Sequence, residues 1–120
     1  MKYVMLIHHG TTPVPGTEAW EELSREEQGE IYAAYKKLNE TPGVTPGEPM
    51  DKAETATTVR VEANGKAIAT DGPFAELKEA IAGIFYVEAD DLDAAIEIAA
   101  LVPSAGRGGA VEIRPAGTYY

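Results

Sequence analysis

The sequence predicts an α+β plait of order βαββαβ, with both helices on one face of a single sheet. Three observations carry that prediction. An apolar run opens the chain, a capped amphipathic helix follows it, and a β-hairpin leads into a second strand–helix–strand series. The chain has 120 residues without internal repeats, so one domain spanning residues 1–120 is expected.

The first strand is placed at residues 2–9. Its interior is apolar throughout, as in a strand covered on both sides. Alternation puts Val4, Leu6 and His8 on one face and Tyr3, Met5, Ile7 and His9 on the other. Residues 10–16 hold two prolines and two threonines and should be irregular. A short helix near Thr17 carries Trp20. The main helix starts at Ser24, where Ser24-Arg25-Glu26-Glu27 spells a capping box, and runs to about Glu40. Ile31, Tyr35 and Leu38 form its apolar stripe, with Ala34 beside them. Gly29 weakens the helix by somewhat under 1 kcal/mol relative to Ala and leaves room for close packing on a strand.

Residues 41–54 contain three prolines and two glycines, and read as successive turns with at most a short edge strand near 44–48. Residues 55–62 are β-branched and alternating, Asn64-Gly65 suits a type I′ turn, and residues 66–70 return. Asp71-Gly72-Pro73-Phe74 is a turn: Asp accepts backbone hydrogen bonds, Gly tolerates positive φ and Pro fixes its own. Ile84-Phe85-Tyr86-Val87 is a buried strand. Asp90-Asp91 caps a helix from Leu92 to about Leu101 whose apolar face is Leu92, Ala95, Ile96 and Ala99. Residues 106–109 form a flexible loop around Arg107, and residues 110–114 the last strand, stopped by Pro115. The sheet face away from the helices would be left bare and apolar, which points to a face-to-face homodimer.

Composition excludes several function classes. Ten basic against twenty acidic residues give a net charge of −10, with Lys36-Lys37 the only adjacent basic pair, so no nucleic-acid or anionic-membrane binding is expected. The absence of cysteine removes thiolate metal sites and disulfides. No apolar run reaches membrane-spanning length, and a cytoplasmic location is expected. Neither phosphate-binding glycine loops nor a serine nucleophile elbow occurs, and no cofactor is expected. The Asp90-Asp91-Asp93 cluster lacks the glycine and closing glutamate of a calcium loop, so no metal is expected either.

Candidates for chemistry are few. Asp71 is held by its turn. His8 and His9 diverge from adjacent strand positions, so they cannot chelate one ion together, but either titrates near neutrality. Asp71 with one of them would make an acid–base couple. Arg107 could hold a ligand carboxylate through paired hydrogen bonds, and Phe74, Tyr35 and Tyr86 could line an apolar pocket. For each of these residues local packing or surface solvation is the competing reading.

The turn Asp71-Gly72-Pro73-Phe74, with Thr55-Ala56-Thr57-Thr58-Val59-Arg60-Val61 before it and Val111-Glu112-Ile113-Arg114-Pro115 after it, resembles the DGPF group of the YCII-related family. The resemblance covers nearly the whole chain. It implies a ferredoxin-like fold paired into a dimeric α+β barrel, with residues 55–74 as a hairpin inserted into the plait. It also implies a His–Asp dyad, whose positions fall on Ile31 and Val102 in this chain. Three functions are therefore open: binding of a small apolar or weakly anionic molecule by a homodimer, acid–base catalysis of a lactone-isomerase type through Asp71 and His8 or His9, and an interaction module for a transcription regulator.

Overall fold

The computed structural model describes residues 1–73 and 81–117. Strand β1 (Lys2–His8) lies inside a four-stranded antiparallel sheet with β5 (Ile81–Glu88) on one side and β6 (Ala110–Pro115) on the other. The two-residue edge strand β2 (Val44–Thr45) completes the order β2-β5-β1-β6. Helices α2 (Arg25–Glu40) and α3 (Leu92–Ala99) connect these strands, and a one-turn helix α1 (Glu18–Glu21) precedes α2. This is the ferredoxin-like α+β arrangement. Strands β3 (Thr57–Val61) and β4 (Ala67–Asp71) pair only with each other, as a separate two-stranded sheet. The Cα radius of gyration is 16.5 Å, against the roughly 14 Å typical of a compact chain of this length.

Alternation along β1 decides which face is buried. Tyr3, Met5 and Ile7 pack against the helices with Phe85, Val87, Leu38, Ala95, Ala99 and Val102, all under 9% exposed. The opposite face carries Val4 and Leu6, with Tyr86 and Arg114 beside Val4, and Ile84 and Glu112 beside Leu6. Nothing in the chain covers that face among the described residues.

The helix boundaries follow local chemistry. Thr17 caps α1, whose Trp20 is buried and meets Tyr32 of α2 edge-on at 5.3 Å. Ser24 and Glu27 form the reciprocal capping box of α2. Asp91 caps α3 through the Ala94 amide.

Four expectations from sequence require correction. Gly29 is exposed with nothing within 4 Å of a would-be Cβ, so it serves no close packing. Leu92 and Ile96 are about half exposed, at 50% and 48%. The small Ala95 and Ala99 instead bring α3 onto the sheet, with Ile98 packing alongside. The hairpin turn is not type I′, because that turn needs φ > 0 at two residues and only Gly65 has it. The Gly65 amide donates to the Glu62 carbonyl and the Glu62 amide to Lys66, which makes a type I turn closed by a glycine bulge. The 106–109 loop is pinned rather than free. The Arg107 and Gly109 amides donate to the Ser104 carbonyl, the Thr11 amide donates to Gly108 and the Thr12 hydroxyl to Arg107.

Candidate functional site

A cavity of about 330 Å³ lies between α2 and the helix-facing side of the sheet. Its walls include Ile7, Ile31, Tyr35, Leu38, Phe85 and Pro103, and the irregular stretches after β1 and after β2 add residues 12–15 and 47–49. Pro13 and Pro15 of the post-β1 segment line the cavity, and Gly47 fits so tightly against the Ile84 carbonyl that any side chain there would collide with it.

The end of β1 is what places a titratable group in this cavity. Between Ile7 and His8 the pairing with β5 slips by one residue, opposite Ala82. The freed Ala82 carbonyl accepts from the Met50 amide at 2.8 Å. Beyond the slip His9 continues the Ile7 side and lines the cavity, while His8 turns to the open sheet face. His9 Nδ1 is 2.9 Å from the Ser104 hydroxyl, and Ser104 is wholly buried at the start of the turn Pro103–Gly106. Burial lowers the His9 pKa below its ordinary 6.5, which favours neutral imidazole. Burial raises that of Tyr35, an effect the Ser104 hydroxyl partly offsets, so the phenol keeps its proton.

The remaining candidates from sequence are dispersed. His8 Nε2 lies 3.5 Å from Glu112 on the open sheet face. Glu112 in turn accepts a 2.6 Å hydrogen bond from Arg114, and that bond, with smaller help from His8, holds its carboxyl below the usual range. Tyr86 shares that face, 40% exposed, with the Lys2 ammonium 4.8 Å from its ring centre. Arg107 faces Glu30 at 3.9 Å, outside the cavity wall. Asp71 ends β4 on the exposed hairpin, opposite Thr57, and no ion pair joins it to either histidine among the described residues. Gly72 beside it has φ +100°, the left-handed conformation expected of this turn. Phe74 lies outside the described residues.

Of the positions implied for a His–Asp dyad, Ile31 lines the cavity and Val102 is buried just before Pro103. The apolar pair thus brings no proton-transfer group to the wall, and His9, Tyr35 and Ser104 supply the titratable and hydroxyl groups near those positions. Sequence reasoning missed Ser104. A serine after a proline in a loop carries no local signal, and its burial arises only when α2, α3 and the end of β1 converge.

Residues 1–116 match the model of the YCII-related domain. The chain is also 31% identical over 105 residues to an uncharacterized protein of Rhizobium meliloti (strain 1021), covering 86% of this chain and 84% of that one. With the α+β plait and the cavity under α2 in place, the chain belongs to the YCII-related family.

Proposed function

We propose that this protein binds a small, uncharged and largely apolar molecule in the cavity between α2 and the sheet, and that it does so as a homodimer. The observation that carries this reading is the cavity wall. Aliphatic and aromatic side chains surround a few polar residues, His9, Thr12, Tyr35 and Asn39 among them, the usual composition of a small-molecule site. Among the described residues no Lys or Arg lines it, and Glu48 contributes a carboxylate. An anionic ligand would lose its hydration there without gaining a cation, which favours a neutral one.

The dimer reading rests on the open sheet face, where Val4, Leu6, Ile84 and Tyr86 form an apolar strip flanked by the His8–Glu112–Arg114 cluster. The same face of a second copy offers an equivalent strip, as an isologous contact requires. Sedimentation at micromolar concentration should give about twice the 12.8 kDa chain mass. A folded, monodisperse monomer would refute this pairing.

Binding is tested with the uncharged fluorophore N-phenyl-1-naphthylamine and by mass spectrometry of molecules released on denaturation. Ile31→Phe, which adds bulk to the cavity wall, should weaken probe binding and deplete any released molecule. Equal probe binding by both proteins would show that the probe sits elsewhere.

A further inference from the structure

His9 is held at one ring nitrogen and open at the other. Nδ1 lies 2.9 Å from the Ser104 hydroxyl, and Ser104 is 0% exposed. Ser104 is itself pinned, since its carbonyl accepts from the Arg107 and Gly109 amides. With Nδ1 engaged, Nε2 is the ring nitrogen left for whatever fills the cavity that His9 lines. The other polar residues of the wall are less available. The Thr12 hydroxyl donates to the Arg107 carbonyl at 3.0 Å. Asn39 and Glu48 are exposed, so water already serves them. Tyr35 remains as a second candidate, on α2 rather than beside β1.

A ligand group that meets Nε2 has to suit a nitrogen whose role follows the Ser104 proton. If Ser104 donates to Nδ1, Nε2 carries the imidazole proton and donates. If Ser104 accepts from Nδ1–H, Nε2 is a lone pair and accepts. A carbonyl or ether oxygen satisfies only the first arrangement. A hydroxyl satisfies either, because it both donates and accepts. A hydrocarbon satisfies neither, and leaves a ring nitrogen stripped of water without a partner.

We infer that the ligand of this cavity is an alcohol, a single hydroxyl group on an otherwise apolar frame, and that His9 Nε2 is the position that selects it. This rests on the ligand-binding reading above, which asks only for an uncharged and largely apolar molecule. Burial favours the neutral imidazole, so the hydroxyl meets a ring with one donor and one acceptor rather than two donors. An alcohol also stays uncharged at neutral pH, as a wall without Lys or Arg among the described residues requires. His9 touches the ligand, and Ser104 is a positioning residue that fixes which ring nitrogen does so.

The test uses two molecules of nearly equal shape, 2-naphthalenemethanol and 2-ethylnaphthalene, which differ by a hydroxyl in place of a methyl. Their affinities are read by displacement of N-phenyl-1-naphthylamine. The quantity compared is the ratio of alcohol to hydrocarbon affinity, measured in the intact protein and in His9→Leu, so that the unequal hydration of the two molecules cancels. That ratio should fall about 10-fold or more in His9→Leu, the worth of a hydrogen bond whose loss leaves a buried group unpaired. An unchanged ratio would mean that Tyr35 or another group holds the hydroxyl, and overturns the assignment. A second measurement needs no variant. The ¹⁵N resonance of His9 Nε2 should move severalfold further with the alcohol than with the hydrocarbon, whereas equal movement overturns the inference. Displacement by both molecules with an unchanged ratio leaves the binding reading standing. Failure of the fluorophore and both naphthalenes to bind overturns both.

Discussion

Gly109 is where the fold and the candidate site are mechanically joined, and Gly109→Ala tests that junction. A Cβ there would stand 2.6 Å from the His9 carbonyl oxygen and 2.8 Å from its carbonyl carbon, and nearer still to the His8 carbonyl oxygen. Ordinary Cβ contacts begin near 3.4 Å, so relief of the His9 oxygen contact at 2.6 Å alone requires the start of β6 and the end of β1 to part by about 0.8 Å, and the closer His8 oxygen requires more. Two backbone hydrogen bonds span this point, Gly109 amide to Ser104 carbonyl and Thr12 amide to His9 carbonyl, each 2.9 Å. Losing or stretching them costs about 1 kcal/mol apiece, and overpacking adds about 1–3 kcal/mol. The expected destabilisation is therefore roughly 3–5 kcal/mol, a fall of about 1.5–3 M in the urea midpoint for a chain of this size. Gly106→Ala is the control in the same loop, since no atom lies within 4 Å of its Cβ, and it should change stability by less than about 0.5 kcal/mol. Equilibrium urea unfolding followed by Trp20 fluorescence reads both. If Gly109→Ala unfolds at the same midpoint as Gly106→Ala, the loop does not press on β1 as described and its hold on His9 fails with it.

Gly72→Val should cost about 1–3 kcal/mol through backbone strain alone, because φ is +100° and nothing lies within 4 Å of the added Cβ. An unchanged melting temperature would show that the turn relaxes to negative φ. Gly29→Ala should do the reverse and stabilise α2 by about 0.5–1 kcal/mol, as an exposed helix interior gains from the loss of glycine's backbone freedom; lower stability would mean that Gly29 has a contact across an interface. Ser24→Ala removes the hydroxyl that accepts from the Glu27 amide, one half of the α2 capping box, and should cost about 1 kcal/mol, read as a melting shift. Burial lowers the His9 pKa, so the unfolded chain binds a proton more readily there. The sign follows from linkage: the His9 contribution to stability is complete above the unfolded value of 6.5 and is lost as pH falls from there through the lower folded value. His9→Asn should flatten that part of the stability–pH curve, and an unaltered curve would refute the burial effect.

Local rules in the sequence determined the elements. The alternation of Tyr3, Met5 and Ile7 against Val4, Leu6 and His8 separated the core from the open face, since a strand's side-chain period is fixed at two whatever surrounds it. Ser24-Arg25-Glu26-Glu27 and Asp91 marked helix starts because caps act within one turn. The positive φ of Gly72 was legible for the same reason. Tertiary structure decided the rest. Which of two neighbouring histidines entered the cavity depended on which sheet face the helices cover. Leu92 and Ile96 read as helix core, yet the small Ala95 and Ala99 set how α3 sits on the sheet, and closeness of approach is a property of two surfaces rather than one. The pairing of Asp71 with a histidine was chemically sensible, but the structure places Asp71 on a hairpin whose two strands form a sheet of their own among the described residues. Ser104 is the clearest case. Its hydroxyl matters because residues nearly a hundred positions earlier in the chain, at the end of β1, arrive within 2.9 Å of it, and a contact of such sequence separation has no local signature.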